Sequence, residues 1–413
     1  MKRRDFMKVV TTGAAAAMTR TTYAEEHAIM SPLPGAQDAP NPQIGTHWPL
    51  FEEINTRCQP AMSFLNDEYH DVAAWVTKAR ATLLGHLHYE PAKCDPNPEV
   101  VERADCGTYT RERVLISIVP GARIPAYVLA PKGLKKPAPA MVALHDHGGF
   151  YFWGKEKIVE VAPEHPALTE YKKCYGGRSI ADELARRGFV VIAADALHWG
   201  ERGMYFEADP ERIKKRTLDV TKQDILEFNA RSWAHEELIE RTAMTCGTTW
   251  AGINVRSDMR VADYLLSRPE VDPQRVGCIG LSLGSVRSIF LGAAHEQIKA
   301  AVAVCWMGEY SQMARNNVRN SIGFTKLVPG LYNDLAWPDL AGLHLPGYLM
   351  TINGLKDGLY SLKAQQDAVQ KVERIYAKAG QSDHYQGVFF DGPHEFNVEM
   401  QERAFAWLGE RLA

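Results

Sequence analysis

The chain has 413 residues, of which 46% are hydrophobic and 23% charged, and its formal net charge at pH 7 is −3. The hydrophobic content is too high for a disordered chain, and the near-neutral charge offers no basic surface for nucleic acid. The length allows one large domain with additions, or two to three smaller domains.

Residues 1–24 resemble a twin-arginine (Tat) export signal. Arg3 and Arg4 precede an apolar pair, an uncharged stretch follows from Val9 to Met18, and Thr22 and Ala24 offer small residues for cleavage. The apolar stretch is shorter than the roughly 20 residues that span a bilayer, which argues against a stable membrane anchor. The resemblance implies a precursor that uses the Tat export machinery and a mature protein that is periplasmic or secreted; the alternative is a basic disordered tail.

The next two segments precede the sheet. Residues 25–46 are Pro-rich and aperiodic, which predicts a linker. Over residues 47–107 we predict a helical N-terminal extension, because Trp75, Ala79 and either Leu83 or Leu84 recur at helical spacing.

From residue 108 to 413 the pattern is that of an α/β domain. Two strands joined by a turn at residues 120–121 predict a hairpin, and apolar strand-like runs then alternate with helical patterns. This alternation predicts a mostly parallel sheet flanked by helices. The later predicted strands are 140–144, 190–194, 276–279, 300–304, 348–352 and 388–390.

Residues 199–250 interrupt this alternation with a polar, strongly helical insertion. The insertion follows the carboxyl end of a predicted strand, where an α/β sheet places its ligand site, so it is a candidate lid. The alternative is an extra helix pair that packs away from the site.

A candidate nucleophile stands in the motif Gly280-Leu281-Ser282-Leu283-Gly284, which directly follows a predicted strand and precedes a helix. The turn in such a motif is so tight that only glycine fits beside the serine. The arrangement predicts Ser282 as a nucleophile above the sheet; the alternative is a serine that caps the helix.

Serine needs a base, and on this architecture the order along the chain is Ser, then Asp or Glu, then His. Asp357 and His394 both follow predicted strands, and we predict them as the acid and the base. Asp391 and Glu395 flank His394 and are the competing acids. Their closeness in sequence favours turn and helix-start roles instead.

Oxyanion stabilisation requires two amide donors. We predict the backbone N–H of Leu283 as one and that of His147 as the other, with Gly148 as the neighbouring possibility. A rival interpretation takes His145, Asp146 and His147 as metal ligands. A third histidine at usable spacing is missing, so we predict neither a metal nor a cofactor.

Two further groups of residues are singled out. Tyr151, Trp153, Trp199 and Trp250 lie near predicted loop ends and are candidate pocket residues. The seven cysteines contain no CxxC motif, and Cys278 and Cys305 lie inside apolar strand-like runs, which predicts that they are core residues. In an oxidising compartment Cys94 and Cys106 are candidates for a disulfide, since both lie in polar connecting sequence.

The motifs LHDHGG, DALHWGERG, GLSLG and the pair NGLKDG and DGPHEF follow one another over residues 108–413. As a set they resemble the α/β-hydrolase superfamily, in particular dienelactone-hydrolase-like and acetyl-xylan-esterase-like bacterial esterases. Dienelactone hydrolases use a cysteine nucleophile, whereas the candidate here is Ser282. After the serine, glucuronoyl methylesterases have an arginine and cephalosporin-C deacetylases have a glutamine, whereas this chain has Leu283. The resemblance implies a serine esterase that forms an acyl-enzyme.

The resemblance implies a small-molecule or carbohydrate ester as substrate, such as an acylated plant or algal carbohydrate. Two other classes stay open. A peptidase of the prolyl-oligopeptidase type uses the same triad, although residues 46–107 are too few for the β-propeller of such enzymes. The second open class is a non-catalytic binding protein on a hydrolase scaffold.

Overall fold

The computed structural model describes residues 42–315 and 317–412. In this part of the chain, nine strands form one sheet in the order β1-β2-β3-β5-β4-β6-β7-β8-β9. The strands are β1 (Glu99–Asp105), β2 (Tyr109–Val119), β3 (Ala122–Pro131), β4 (Ala138–Leu144), β5 (Val190–Ala194), β6 (Val271–Leu281), β7 (Ala300–Val304), β8 (Tyr348–Gly354) and β9 (Tyr385–Phe390).

Helices cover both faces of this sheet and fill the connections. The α-helices of the described residues are α1 (Trp48–Arg57), α2 (Val72–His86), α3 (Pro166–Tyr171), α4 (Ile180–Arg186), α5 (Glu211–Lys215), α6 (Lys222–Ala234), α7 (Glu236–Thr245), α8 (Trp250–Leu266), α9 (Leu283–Ala294), α10 (Tyr310–Arg315), α11 (Val318–Ser321), α12 (Leu331–Asp334), α13 (Trp337–Gly342), α14 (Leu362–Lys378) and α15 (Val398–Arg411).

The predicted mostly parallel sheet flanked by helices is confirmed. Strands β1, β2, β3 and β5 pair antiparallel, whereas β5, β4, β6, β7, β8 and β9 pair parallel. Strands β5 and β7 have the predicted bounds, and β2 and β3 form the predicted hairpin. The loops after β4, β6, β8 and β9 therefore leave the sheet at the same edge, where parallel strands place their carboxyl ends.

Side-chain alternation in the central strands divides the core in two. In β4, Met141 and Ala143 face a cluster that contains residues of α4 and α15. Val142 and Leu144 face the opposite cluster, which contains residues of α8, α9 and α14. Because both faces are buried, these strands appear in sequence as continuous apolar runs.

The N-terminal extension packs on the helix that follows the candidate nucleophile. Trp75, Ala79 and Leu83 are buried along one face of α2, as their spacing predicts. The Arg80 guanidinium donates to the Ala293 carbonyl oxygen at 2.8 Å and so joins α2 to α9. Burying a side chain as large as Leu83 stabilises the fold by about 2 kcal/mol, which fixes the extension against the sheet domain.

The end of the extension differs from the prediction of helix over 47–107. Residues Glu99–Asp105 form strand β1, which pairs antiparallel with β2 at the edge of the sheet. Six of its seven residues are exposed, so the segment carries no hydrophobic periodicity that reveals a strand. Its backbone pairing with β2 and the cross-strand pair of Arg103 with Glu112, at 3.1 Å, hold it instead.

Several predictions concern the ends and the cysteines. The export signal predicted over residues 1–24 and residues 25–41 of the predicted linker lie outside the described residues. The end of the predicted linker is not aperiodic, because Pro42–His47 form a short 3₁₀ helix. Among the described residues, no helix has the length and apolar character needed to cross a membrane. Cys278 and Cys305 are buried as predicted, and Cys94 and Cys106 are free thiols, not a disulfide.

Candidate active site

Ser282 occupies a strained turn between β6 and α9. Its backbone has φ 58° and ψ −114°, a region that L-residues avoid at a cost of about 1–3 kcal/mol. A Cβ on Gly280 would lie 2.4 Å from the carbonyl carbon of Gly284, and one on Gly284 would lie 2.0 Å from the Leu144 oxygen. The two glycines are therefore required by backbone contact, as the motif predicts.

Asp357 and His394 form a hydrogen-bonded pair on the loops after β8 and β9. The distance from His394 Nδ1 to Asp357 Oδ2 is 2.7 Å, and Asp357 Oδ1 accepts from the Leu359 N–H at 2.9 Å. An ionised carboxylate only accepts, so Nδ1 carries the proton and Nε2 presents its lone pair. Nε2 is buried and has no hydrogen-bond partner among the described residues. The pair therefore supplies a preoriented base.

Backbone hydrogen bonds connect the Ser282 turn to this pair through β7. The Ser282 N–H donates to the Val304 oxygen at 2.8 Å, and the Cys305 N–H donates to the Ile352 oxygen at 2.7 Å. The Cys305 sulfur, a carboxylate oxygen of Asp357 and a ring nitrogen of His394 lie within 4.8 Å of one another. Cys305 thus stands beside the acid and base on the strand that separates them from Ser282.

The competing acids do not contact His394. Asp391 forms an ion pair with Lys356 at 2.8 Å, and Glu395 accepts from the Asn397 side chain at 3.0 Å. Both therefore have the turn and helix-start roles that their sequence positions favour.

The loop after β4 holds the predicted oxyanion donors. Gly148 and Gly149 have φ of 56° and 63°, and a Cβ on Gly148 would overlap the Tyr171 hydroxyl oxygen at 1.7 Å. Leu283 is the first residue of α9, where an N–H has no partner within the helix. Gly284 packs on the Leu144 oxygen, so the Ser282 turn lies directly against this loop.

The two histidines of this loop are engaged through both ring nitrogens. His145 Nδ1 bonds the Asp146 carbonyl oxygen at 2.8 Å, and its Nε2 accepts from the Ala196 N–H at 3.0 Å. His147 Nδ1 accepts from the Gly149 N–H at 3.0 Å, and its Nε2 bonds the Glu236 carboxylate at 2.7 Å. These bonds assign both rings to holding the loop in shape rather than to metal ligation.

Three of the four predicted pocket residues form one buried aromatic cluster. Tyr151 and Trp199 stack with ring centroids 5.0 Å apart, and Trp250 lies 5.8 Å from Trp199. The His147 ring touches this cluster, at 4.9 Å from Trp199. All three rings are fully buried, so they pack beneath the loop after β4 and stabilise it.

Trp153 lies elsewhere. It lines a cavity of about 440 Å³ together with Tyr127, Glu201 and Arg216, and no triad residue lines that cavity. Lys155 and Asp195, which pair at 2.8 Å, hold the adjacent loop in place. Sequence proximity to the glycine loop suggested Trp153 as a pocket residue, but the chain turns away after Phe152.

The structure adds residues that sequence reasoning did not single out. Helices α6 and α7 of the 199–250 insertion bring Trp233 and Glu236 to His147; the Trp233 ring is 5.8 Å from the imidazole and 47% exposed. The insertion therefore lies against the loop after β4 and not away from the candidate site. Its helical polar pattern was visible in the sequence, but the partner of each side chain depends on the fold.

Lys326 is a second unexpected residue beside the acid–base pair. Its buried amine donates to the Ser321 oxygen at 2.6 Å and to the Tyr360 hydroxyl at 2.8 Å. The Tyr360 ring lies 6.5 Å from that of His394. Burial lowers the pKa of Lys326 to about 7, although the charges of Asp357 and Glu236 oppose this shift.

Lys326→Met is expected to flatten the dependence of stability on pH above neutrality. The unfolded lysine holds its proton up to about pH 10, whereas the folded one releases it near pH 7. The unfolded state therefore binds more protons in that interval, and this one lysine adds about 2 kcal/mol to the stability of the wild type between pH 7 and 9. Urea unfolding of both proteins at the two pH values measures the difference; equal slopes would contradict the assignment.

Comparisons with known proteins agree with the fold. The sequence model described as "Abhydrolase family" matches residues 46–391. The "Putative hydrolase YtaP" of Bacillus subtilis (strain 168) is 26% identical over 301 residues, which are 73% of this chain and 88% of that protein.

Two solved structures are similar in fold. One, described as a "putative acetyl xylan esterase" from Bacteroides fragilis, has a TM-score of 0.65 at 17% identity over 84% of this chain and 82% of its own. The other, a glucuronoyl esterase from Solibacter usitatus, has a TM-score of 0.61 at 15% identity over 86% of this chain and 97% of its own.

Proposed function

The chain belongs to the Abhydrolase family and has its α/β-hydrolase fold, and on that premise we propose that it is a serine hydrolase that cleaves carboxylic esters through an acyl-enzyme. The observation that carries the proposal is the His394 imidazole, whose Nδ1 is bound to Asp357 and whose Nε2 is buried without a partner. Such a nitrogen is the base that a serine on a strained turn requires.

In the proposed reaction, Ser282 Oγ attacks the ester carbonyl while His394 Nε2 takes its proton. The amides of Leu283 and the His147–Gly148 segment bind the oxyanion. His394 then returns the proton to the departing alcohol and leaves an acyl-serine. Water attacks the acyl-serine with the same base, releasing the acid and restoring Ser282. Asp357 holds the imidazole tautomer and stabilises its charged form.

We propose an acylated carbohydrate as the substrate. Trp233 supports this class, because a large exposed aromatic ring beside His147 offers a face on which a sugar ring stacks. The structures of similar fold include one described as a "putative acetyl xylan esterase" and a glucuronoyl esterase, and both descriptions name esters of carbohydrates.

A substrate panel tests this proposal. The mature protein should hydrolyse p-nitrophenyl acetate and, with higher kcat/KM, acetylated xylo-oligosaccharides. Aminoacyl p-nitroanilides should remain intact, since their cleavage would indicate a peptidase. Binding of an acetylated oligosaccharide without any turnover would instead indicate a binding protein on a hydrolase scaffold.

We also propose that the protein is exported by the twin-arginine route and acts in the periplasm or outside the cell, on the strength of Arg3, Arg4 and the small residues before residue 25. Replacing Arg3 and Arg4 with lysine should abolish the processed form outside the inner membrane and leave precursor in the cytoplasm. Unchanged export of that variant would exclude this route.

A further inference from the structure

Lys157 is a buried lysine whose hydrogen bonds all go to the oxyanion loop. Its side chain is fully buried, and its Nζ donates to the carbonyl oxygens of Asp146 at 3.0 Å and of His147 at 2.9 Å. The Asp146 carboxylate lies 3.6 Å from the amine, and the centre of the Tyr171 ring lies 5.0 Å from it. Lys157 thus holds two consecutive carbonyl groups, together with the His145 ring, which bonds the Asp146 oxygen, and the Trp199 ring, which donates to the His147 oxygen.

This contact fixes the direction of two amide groups. In a planar trans peptide the C=O and the following N–H point in opposite directions. With the Asp146 and His147 carbonyls turned toward Lys157, the N–H groups of His147 and Gly148 must both point away from it. Neither N–H bonds another backbone group within the described residues. Two adjacent free donors therefore point the same way, beside the Ser282 turn.

A second charged side chain holds the same segment from the insertion. Glu236, at the start of α7, accepts from His147 Nε2 at 2.7 Å and from the Tyr151 hydroxyl at 2.8 Å. His147 Nδ1 is thereby left as the acceptor for the Gly149 N–H, which closes the turn. Burial acts to raise the pKa of Glu236, but the hydrogen bonds from His147 and Tyr151 favour the charged form and the pKa is lowered, so the carboxylate stays ionised.

We propose that Lys157 and Glu236 are positioning residues that hold the His147–Gly148 segment as the second half of the oxyanion hole. The inference rests on the proposed esterase function and adds to it the two side chains that set the direction of the backbone N–H groups. Lys157 turns both amides outward, and Glu236 fixes the loop from the insertion. The insertion is thereby part of the catalytic geometry, not only a cover.

The test compares kcat and KM for p-nitrophenyl acetate in Lys157→Met and Glu236→Leu. A misdirected amide weakens binding of the oxyanion, which exists only near the transition state. We expect kcat to fall about 10- to 100-fold with KM unchanged within about twofold. Glu236→Gln should keep most of the activity, because its amide oxygen still accepts from His147 and Tyr151.

Matched controls separate positioning from stability. Lys172→Met removes a buried lysine that donates to the Val159 carbonyl, and Glu240→Leu removes a buried carboxylate one turn along α7. Both should retain wild-type kcat. If Lys157→Met fails to fold, as judged by thermal unfolding, the comparison of Glu236→Leu with Glu236→Gln tests the positioning role instead.

The outcomes are distinct. Unchanged kcat in Glu236→Leu, or equal losses in Glu236→Leu and its Glu240→Leu control, would overturn the positioning proposal while the esterase stands. Glu236→Gln as inactive as Glu236→Leu would also overturn it, by pointing to a role for the charge itself. A wild type without Ser282-dependent turnover would overturn the proposed function beneath it.

Discussion

Ser282→Ala is expected to lower kcat for ester hydrolysis by about a million-fold and to leave the fold intact. The loss is large because removing the nucleophile removes the acyl-enzyme, and His394 and Asp357 then have no proton to transfer. Stability should change little, since the hydroxyl is small and the left-handed backbone at this position strains alanine as it strains serine. Steady-state rates and thermal unfolding measure the two effects.

Ser285→Ala is the matched control for this variant. Ser285 is buried in α9, three residues after Ser282, and its hydroxyl donates to the Trp306 oxygen at 3.3 Å. It should keep kcat. A loss of only about tenfold in Ser282→Ala would contradict the role assigned to this turn, because a residual rate of that size requires another nucleophile.

Asp357→Asn is expected to reduce kcat by about 10⁴. The asparagine amide can donate to His394 Nδ1, which favours the tautomer with its proton on Nε2 and removes the lone pair that Ser282 needs. It also withdraws the negative charge that stabilises the imidazolium. The pH–rate profile and kcat of the variant report both effects.

Two neighbouring carboxylates serve as controls for Asp357. Asp391→Asn and Glu395→Gln make the same change of charge within a few residues of His394, but neither side chain contacts the imidazole. Both should retain most of the activity. A larger loss in Glu395→Gln than in Asp357→Asn would contradict the assignment of the acid.

The central strands and the elements that follow them were predictable because their pattern is local. Strands β5 and β7 are short, continuous apolar runs, and both have the predicted ends. The Ser282 turn is likewise a local motif, since the backbone that leaves no room for a side chain on Gly280 is that of Gly284, four residues later. Chain order then sufficed to single out Asp357 and His394, whose hydrogen bond the structure contains.

What sequence reasoning missed depends on contacts between distant segments. Strand β1 is exposed at the sheet edge and held by its neighbour, so no periodicity marks it. Lys157, Glu236 and Lys326 look like ordinary surface charges in sequence, yet each is buried against groups outside its own helical segment. Trp153 shows the converse, because nearness in sequence to the glycine loop did not place it beside the triad.

The most direct test of the account is to treat the folded protein with a fluorophosphonate probe and to locate the adduct by peptide mass spectrometry. Such a probe reacts with a serine that an adjacent base activates. We predict one adduct, on Ser282, which is lost in Ser282→Ala, after unfolding, and largely in Asp357→Asn. An unlabelled wild type, or an adduct on any other residue, would contradict the claim that this chain is a serine hydrolase acting through Ser282.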